Sequence, residues 1–171
     1  MSGVGEIAVR IEPSDAPLPA VDYRWDADTD ILTASLRAGP AGQGMSGTVE
    51  MEGQDGSWVI FDVSRGNIAG VEVAVWPDVR KVADLEAPAD ALPARVTVPA
   101  RQSQPGIAAV EVDTRLSAEA DRAERTIHFR FGSARSARAV RLAQDLILDV
   151  DDRNRIAGVW LLNVPPFPAD Q

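Results

Sequence analysis

Along most of the chain, apolar and polar positions alternate. The segments IAVRI, VEME, WVIFDV, VEVAV, RVTV, AVEVD, IHFRF and LILDV are short, alternating or β-branched, and bounded by Gly, Pro, Asp or Asn clusters. This is the pattern of strands with one face on a core. Two segments carry helix signals instead. PDVRKVADLEA (77–87) has a proline where a first helical turn tolerates one, with Val79, Val82 and Leu85 on one side, and SAEADRAER (117–125) opens on Ser117 as a cap. One or two short helices are therefore expected in a mainly β fold.

The pattern is written twice. RGNIAGVEVAVWP begins at Arg65 and RNRIAGVWLLNVPP at Arg153, 88 positions later. Upstream, SWVIFDV (57–63) pairs with DLILDV (145–150), ILTASLR (31–37) with RTIHFRF (125–131), AVDYRWD with AAVEVDT, and EIAVRI with ARVTVP. Aligned backward from IAG, Gly66 falls opposite Asn154, and these two residue types enter positive φ most easily. Asp62 and Asp149 match, as do Gly70 and Gly158, and all six are assigned to hairpin turns. The expected organisation is a β repeat over 1–85, a Pro/Ala-rich linker and the start of the second repeat over 86–106, and the remainder of that repeat over 107–171. Two tandem antiparallel β repeats packed with pseudo-two-fold symmetry would cover the apolar face that each half of ~85 residues leaves open.

The blocks resemble a family of short bacterial proteins of unknown function. Its members read Y-D-x-x-x-D-x-L-Y-I-x-L, then I-L-D-Y-D, a glycine turn, and I-V-G-I-E-I-L. Tyr23, Asp26, Asp30, Leu32 and Leu36 follow the first element. Ile60, Phe61, Asp62, Gly66, Ile68, Gly70, Val71, Glu72 and Val73 follow the second. In the second copy Ile147, Leu148, Asp149, Ile156, Gly158 and Val159 match, Trp160 stands for the glutamate, and no Tyr-Asp opening survives. A looser similarity links the D-turn-V-x-G-V pattern to PRC-barrel domains. The resemblance implies a β fold and no established activity.

Composition narrows the chemistry. The chain has no cysteine, which excludes disulfides and thiolate metal sites. No apolar run approaches the ~20 residues of a membrane-spanning helix, and MSGVGEIAVRIEP lacks a secretory pattern. A cytoplasmic bacterial protein without a membrane role is expected. The formal net charge is −9, with 14 acids and 6 bases in residues 1–85 against 12 and 11 in 86–171. Such acidity opposes general nucleic-acid binding. The exception is local, because Arg122, Arg125, Arg130, Arg135, Arg138 and Arg141 face only Glu124. Arg130, Arg135, Arg138 and Arg141, with Trp76, are the candidate partner-binding residues.

Other motifs carry less. GQGMSG (42–47) has the glycine spacing of a dinucleotide fingerprint but leads into a strand pattern rather than a helix. His128, the single histidine, has neither a G-x-S-x-G nor a cysteine to act on, and its counterpart in the first copy is Ala34. Asp26, Asp28 and Asp30, and Asp149, Asp151 and Asp152, are turn-like clusters that would need a shared geometry to hold a metal or act as an acid/base pair. Trp25, Trp58, Trp76 and Trp160 read as core or sheet-interface residues. With no catalytic set, no cofactor and no metal site indicated, the sequence points to a non-enzymatic protein-interaction or assembly module with a protein partner or self-association. The rival classes are a small-ligand-binding β barrel and a hydrolase or metal enzyme built on the Asp clusters.

Overall fold

The computed structural model of the chain describes residues 7–36, 44, 46–99 and 107–168. Among these there are fourteen strands and no helix. The first eight are β1 (Arg10–Pro13), β2 (Val21–Asp26), β3 (Ile31–Leu36), β4 (Ser46–Gly53), β5 (Trp58–Ser64), β6 (Asn67–Val75), β7 (Val79–Lys81) and β8 (Leu92–Thr97). The remainder are β9 (Ile107–Thr114), β10 (Leu116–Ala120), β11 (Ile127–Phe131), β12 (Ala137–Ala143), β13 (Leu146–Asp151) and β14 (Ile156–Leu161). All belong to one curled, mixed sheet.

Neither expected helix forms; each segment is part strand and part turn. Val79–Lys81 pairs parallel with β10 through Ala118, Glu119 and Ala120, and Ser117 lies inside β10. The near-helical spacing of Val79, Val82 and Leu85 gave way to an open strand edge that demanded backbone partners. Val82 N–H continues that edge onto Ala120 O.

The strand order β2–β3–β6–β5–β4 of residues 21–75 recurs as β10–β11–β14–β13–β12. The registers correspond closely. Asp62 lies opposite Gly70 and Asp149 opposite Gly158, and the next pair on each side is shifted by a bulge at Ala69 and Ala157. The turns between these strands differ. Arg65 and Gly66 both have positive φ (49° and 85°), as a two-residue hairpin with the favoured twist requires. The later loop is longer, and Asn154 takes the left-handed position at φ 57°.

Four of the six residues assigned to turns are not in them. Asp62, Gly70, Asp149 and Gly158 lie within strands. Their glycines answer a close approach. A Cβ on Gly70 would meet the Ala34 carbonyl oxygen at 2.8 Å, and one on Gly158 would meet that of Phe129 at 2.6 Å.

Two parallel pairings cross between the halves: β9 runs beside β4 and β7 beside β10. The expected linker also holds β8, which pairs antiparallel with β1 and touches both β12 and β6. The inner faces share one core. Leu32, Val49, Met51, Val59, Phe61 and Val73 meet Ile127, Phe129, Phe131, Leu148 and Leu161, with Phe61 edge-on to Phe131 at 5.8 Å.

The outer faces differ. Over β11, β13 and β14, residues Leu85, Ala87 and Ala91 cover Ile147, Trp160 and Leu162. Over β4 and β5 the corresponding face carries carboxylates.

Candidate functional site

Three places gather chemistry: a buried His–Asp pair, an acidic strand face and an apolar groove.

Asp149 projects over Gly158 of the neighbouring strand and reaches His128 one strand further on. Its Oδ2 stands 2.7 Å from His128 Nε2, while Trp160 Nε1 donates to Oδ1 at 3.3 Å. The Trp160 indole lies flat on the imidazole, with centroids 3.9 Å apart and planes 7° from parallel. His128 is buried. By register its counterpart is Thr33, not Ala34, because His128 faces Trp160 as Thr33 faces Glu72, each two residues beyond the glycine. The pair has the geometry of a base and its orienting carboxylate, but the stacked indole occupies one face of the ring. Asp62, the residue that matches Asp149 in the first half, is exposed on the other half of the sheet.

The Asp clusters do not form one site. Asp26 organises the β2–β3 turn by accepting from Asp28 N–H at 3.0 Å, and Asp30 takes φ 62° there. Asp151, 1% exposed, accepts from the backbone N–H groups of Arg153 and Arg155 (both 2.9 Å) and from the Nε atoms of Arg135 and Arg155 (both 3.0 Å). Burial alone would raise its pKa. The Arg155 backbone bond, the Arg135 side chain and the Arg153 backbone bond outweigh it and hold the carboxyl below the usual value.

The candidate arginines separate in the same way. Arg135 also donates to the Phe131 and Ser133 carbonyls, so its guanidinium is held within the fold. Arg138 binds the Asn154 side chain and Arg141 the Gln144 carbonyl. Arg130 is half-buried opposite Gly158. Trp76 is half-buried between Trp25 and Phe129, each 5.7 Å away, and donates to the Asp30 carbonyl at 2.7 Å. Tyr23, its hydroxyl pKa pushed up by burial and then by the Asp145 charge, donates to the Leu162 carbonyl at 2.7 Å.

Sequence reasoning missed the acidic face. Glu50 on β4 is directly opposite Glu111 on β9, and Glu52 is opposite Asp113. One oxygen from each of Glu50, Glu52 and Glu111 lies within 4.8 Å of the others. The alternating segments VEME and VEVD held the signal, but the parallel pairing that joins them has no local signature. Like charges directly opposed across strands are destabilising. Partial desolvation first, then the charges of Glu111, Asp113 and Glu50, raise the Glu52 pKa. A carboxyl whose folded pKa is raised contributes stability below its ordinary pKa and loses it as pH rises through the folded value. Glu111→Gln should therefore raise the melting temperature at pH 7 by a few degrees, a gain that shrinks in 1 M salt or at pH 4. Thermal melts across pH and salt would show it; an unchanged or lower melting temperature at pH 7 would refute the repulsion.

The groove opens where the two halves of the sheet part. β8 pairs with β12 at Leu92 and Pro93 and with β6 only at Thr97, so the neighbours diverge along Ala94–Val96. The space between measures about 1150 Å³ and is walled by Pro17, Leu18, Leu36, Ile68, Val96 and Leu142. Arg95, Asn67 and Asp22 also line it.

Compared with known protein families and with curated proteins, the sequence matches none of them. No helix among the described residues is long and apolar enough to cross a membrane.

Proposed function

We propose that the protein is a non-enzymatic binding module and that the groove along β8 seats its ligand, a small molecule with an apolar body. The carrying observation is the groove itself. At about 1150 Å³ it reaches the size of sites that enclose drug-sized ligands, and its walls are mainly apolar with few polar groups. Its position also supports this reading, because five separate stretches of chain converge there. The arrangement suits two copies of one β unit joined about a pseudo-two-fold, a reading supported by the recurring strand order and the matched bulges. The junction of such copies is the one region that neither copy fills alone.

Two observations weigh against the rival classes. The His128–Asp149 pair lies beneath Trp160 and beside the covering segment, which disfavours an active site there. Among the described residues the large exposed apolar side chains, Val75, Leu92 and Phe167, are on separate stretches of chain, which disfavours a flat protein-docking patch.

The test is titration with Nile red, an uncharged apolar dye. One dye per chain should bind with enhanced fluorescence. Leu142→Glu, which sets a carboxylate on the half-buried wall, should weaken binding at least tenfold while leaving the far-UV spectrum intact. Equal binding by both proteins would place the dye elsewhere and remove the groove as the seat.

A further inference from the structure

We infer that the ligand of this groove carries an anionic head group, a carboxylate in the simplest case, received by Arg95. This rests on the groove being the binding seat and adds the class of molecule that fits it.

Arg95 is half-buried on β8, in the middle of the stretch where β6 and β12 diverge. Its Nε donates to Asn67 Oδ1 at 3.4 Å, a contact that steadies the guanidinium without neutralising it. Among the described residues Arg95 forms no ion pair. Glu12, directly across the β1–β8 ladder, is exposed and outside ion-pair distance. The other ionised residue of the lining, Asp22, is exposed.

These positions decide the charge of the occupant. A wholly apolar molecule filling the groove would strip water from a guanidinium and return no acceptor, which is costly for a buried cation. A cationic molecule would meet Asp22 in solvent, where an ion pair contributes little, and would bring a like charge toward Arg95. A carboxylate at Arg95 takes two parallel N–H donors in a fork that matches its own geometry, while the apolar body lies against Leu18, Leu36, Ile68 and Leu142. The protein's charge of −9 repels anions at long range. That field is screened within about 8 Å at physiological salt and slows the encounter more than it weakens the contact.

The experiment is calorimetric titration of the full chain with decanoate and with decanol, below their aggregation limits, for the wild type and for Arg95→Gln, Arg95→Lys and Leu142→Glu. Decanoate should bind the wild type about ten- to a hundredfold more tightly than decanol. Arg95→Gln should bring decanoate down to the decanol level and leave decanol unchanged, and Arg95→Lys should keep part of the preference. An unchanged melting temperature would show that Arg95→Gln is folded, and the Lys variant tests the same point without removing charge. Equal affinity for the two ligands, both weakened by Leu142→Glu, would overturn the anionic head group and leave the groove as the seat. Binding of neither ligand, together with no Nile red binding, would overturn the groove reading and this inference with it.

Discussion

Asp151→Asn should lower stability by about 3 kcal/mol, because it removes a buried carboxylate that accepts from two guanidinium groups and two backbone N–H groups. Asp151 receives both Arg135 and Arg155 and, through the Arg153 and Arg155 backbone, closes the loop before β14. Asparagine has nearly the same shape but presents one NH₂ where an arginine donor expects an acceptor. The loss should appear as a fall in melting temperature of roughly 6–12 °C for a chain of this size. The pH dependence gives a second signature. Because the folded pKa is depressed, the stability is present above the ordinary aspartate value near ~4 and is lost as pH falls through the lower folded value. The wild type should therefore lose its margin over Asp151→Asn in strong acid. Urea unfolding at pH 7 and pH 2.5 checks both, and a difference that persists undiminished at pH 2.5 would contradict the ionised-carboxylate account.

Gly158→Ala should cost about 2–3 kcal/mol, at the upper end for overpacking a tight site. A single methyl there would approach the Phe129 carbonyl oxygen at 2.6 Å and Asp149 Oδ2 at 2.7 Å, one of them backbone that cannot rotate away. β14 must then separate from β11, and the carboxylate must leave His128. Gly56→Ala serves as the contrast: a methyl there meets nothing within 4 Å, and any cost would come from its φ of 89°. Nuclear magnetic resonance of the single imidazole, run beside urea unfolding, should show a changed His128 environment in Gly158→Ala and none in Gly56→Ala. An undisturbed His128 in Gly158→Ala would mean that the strands accommodate the methyl without moving.

The strands and the hairpin chemistry were legible because both are local. Alternation in WVIFDV and LILDV gives the buried face directly, and Gly66 and Asn154 do enter positive φ. What long-range pairing decides was not legible. Glycine before a valine reads as a turn, yet Gly70 and Gly158 are strand residues made small by a carbonyl on the next strand. The 79–85 segment has helical spacing, but in the fold its first residues complete the β10 edge as a parallel strand. Arg135, Arg138 and Arg141 form a run in sequence and bind three separate internal acceptors in space. Trp160 in place of Glu72 is intelligible only with Leu85, Ala87 and Ala91 laid across it, whereas Glu72 is on the bare face. Nothing local in the chain marks Arg95 as the cation of a groove.

The pairing of β4 with β9 and of β7 with β10 also governs how the protein emerges from the ribosome. β4 is complete at Gly53, but its parallel neighbour ends at Thr114, and the carbonyls that cap Tyr23 and Trp25 belong to Leu162 and Pro165. The β4 edge must wait open while about sixty further residues, up to Thr114, are made, several seconds at ordinary synthesis rates. The crowded carboxylates of β4 keep that waiting edge charged, and charge is what deters an unpaired strand from joining another chain. Glu50 and Glu52, a liability to the finished fold, protect the unfinished one.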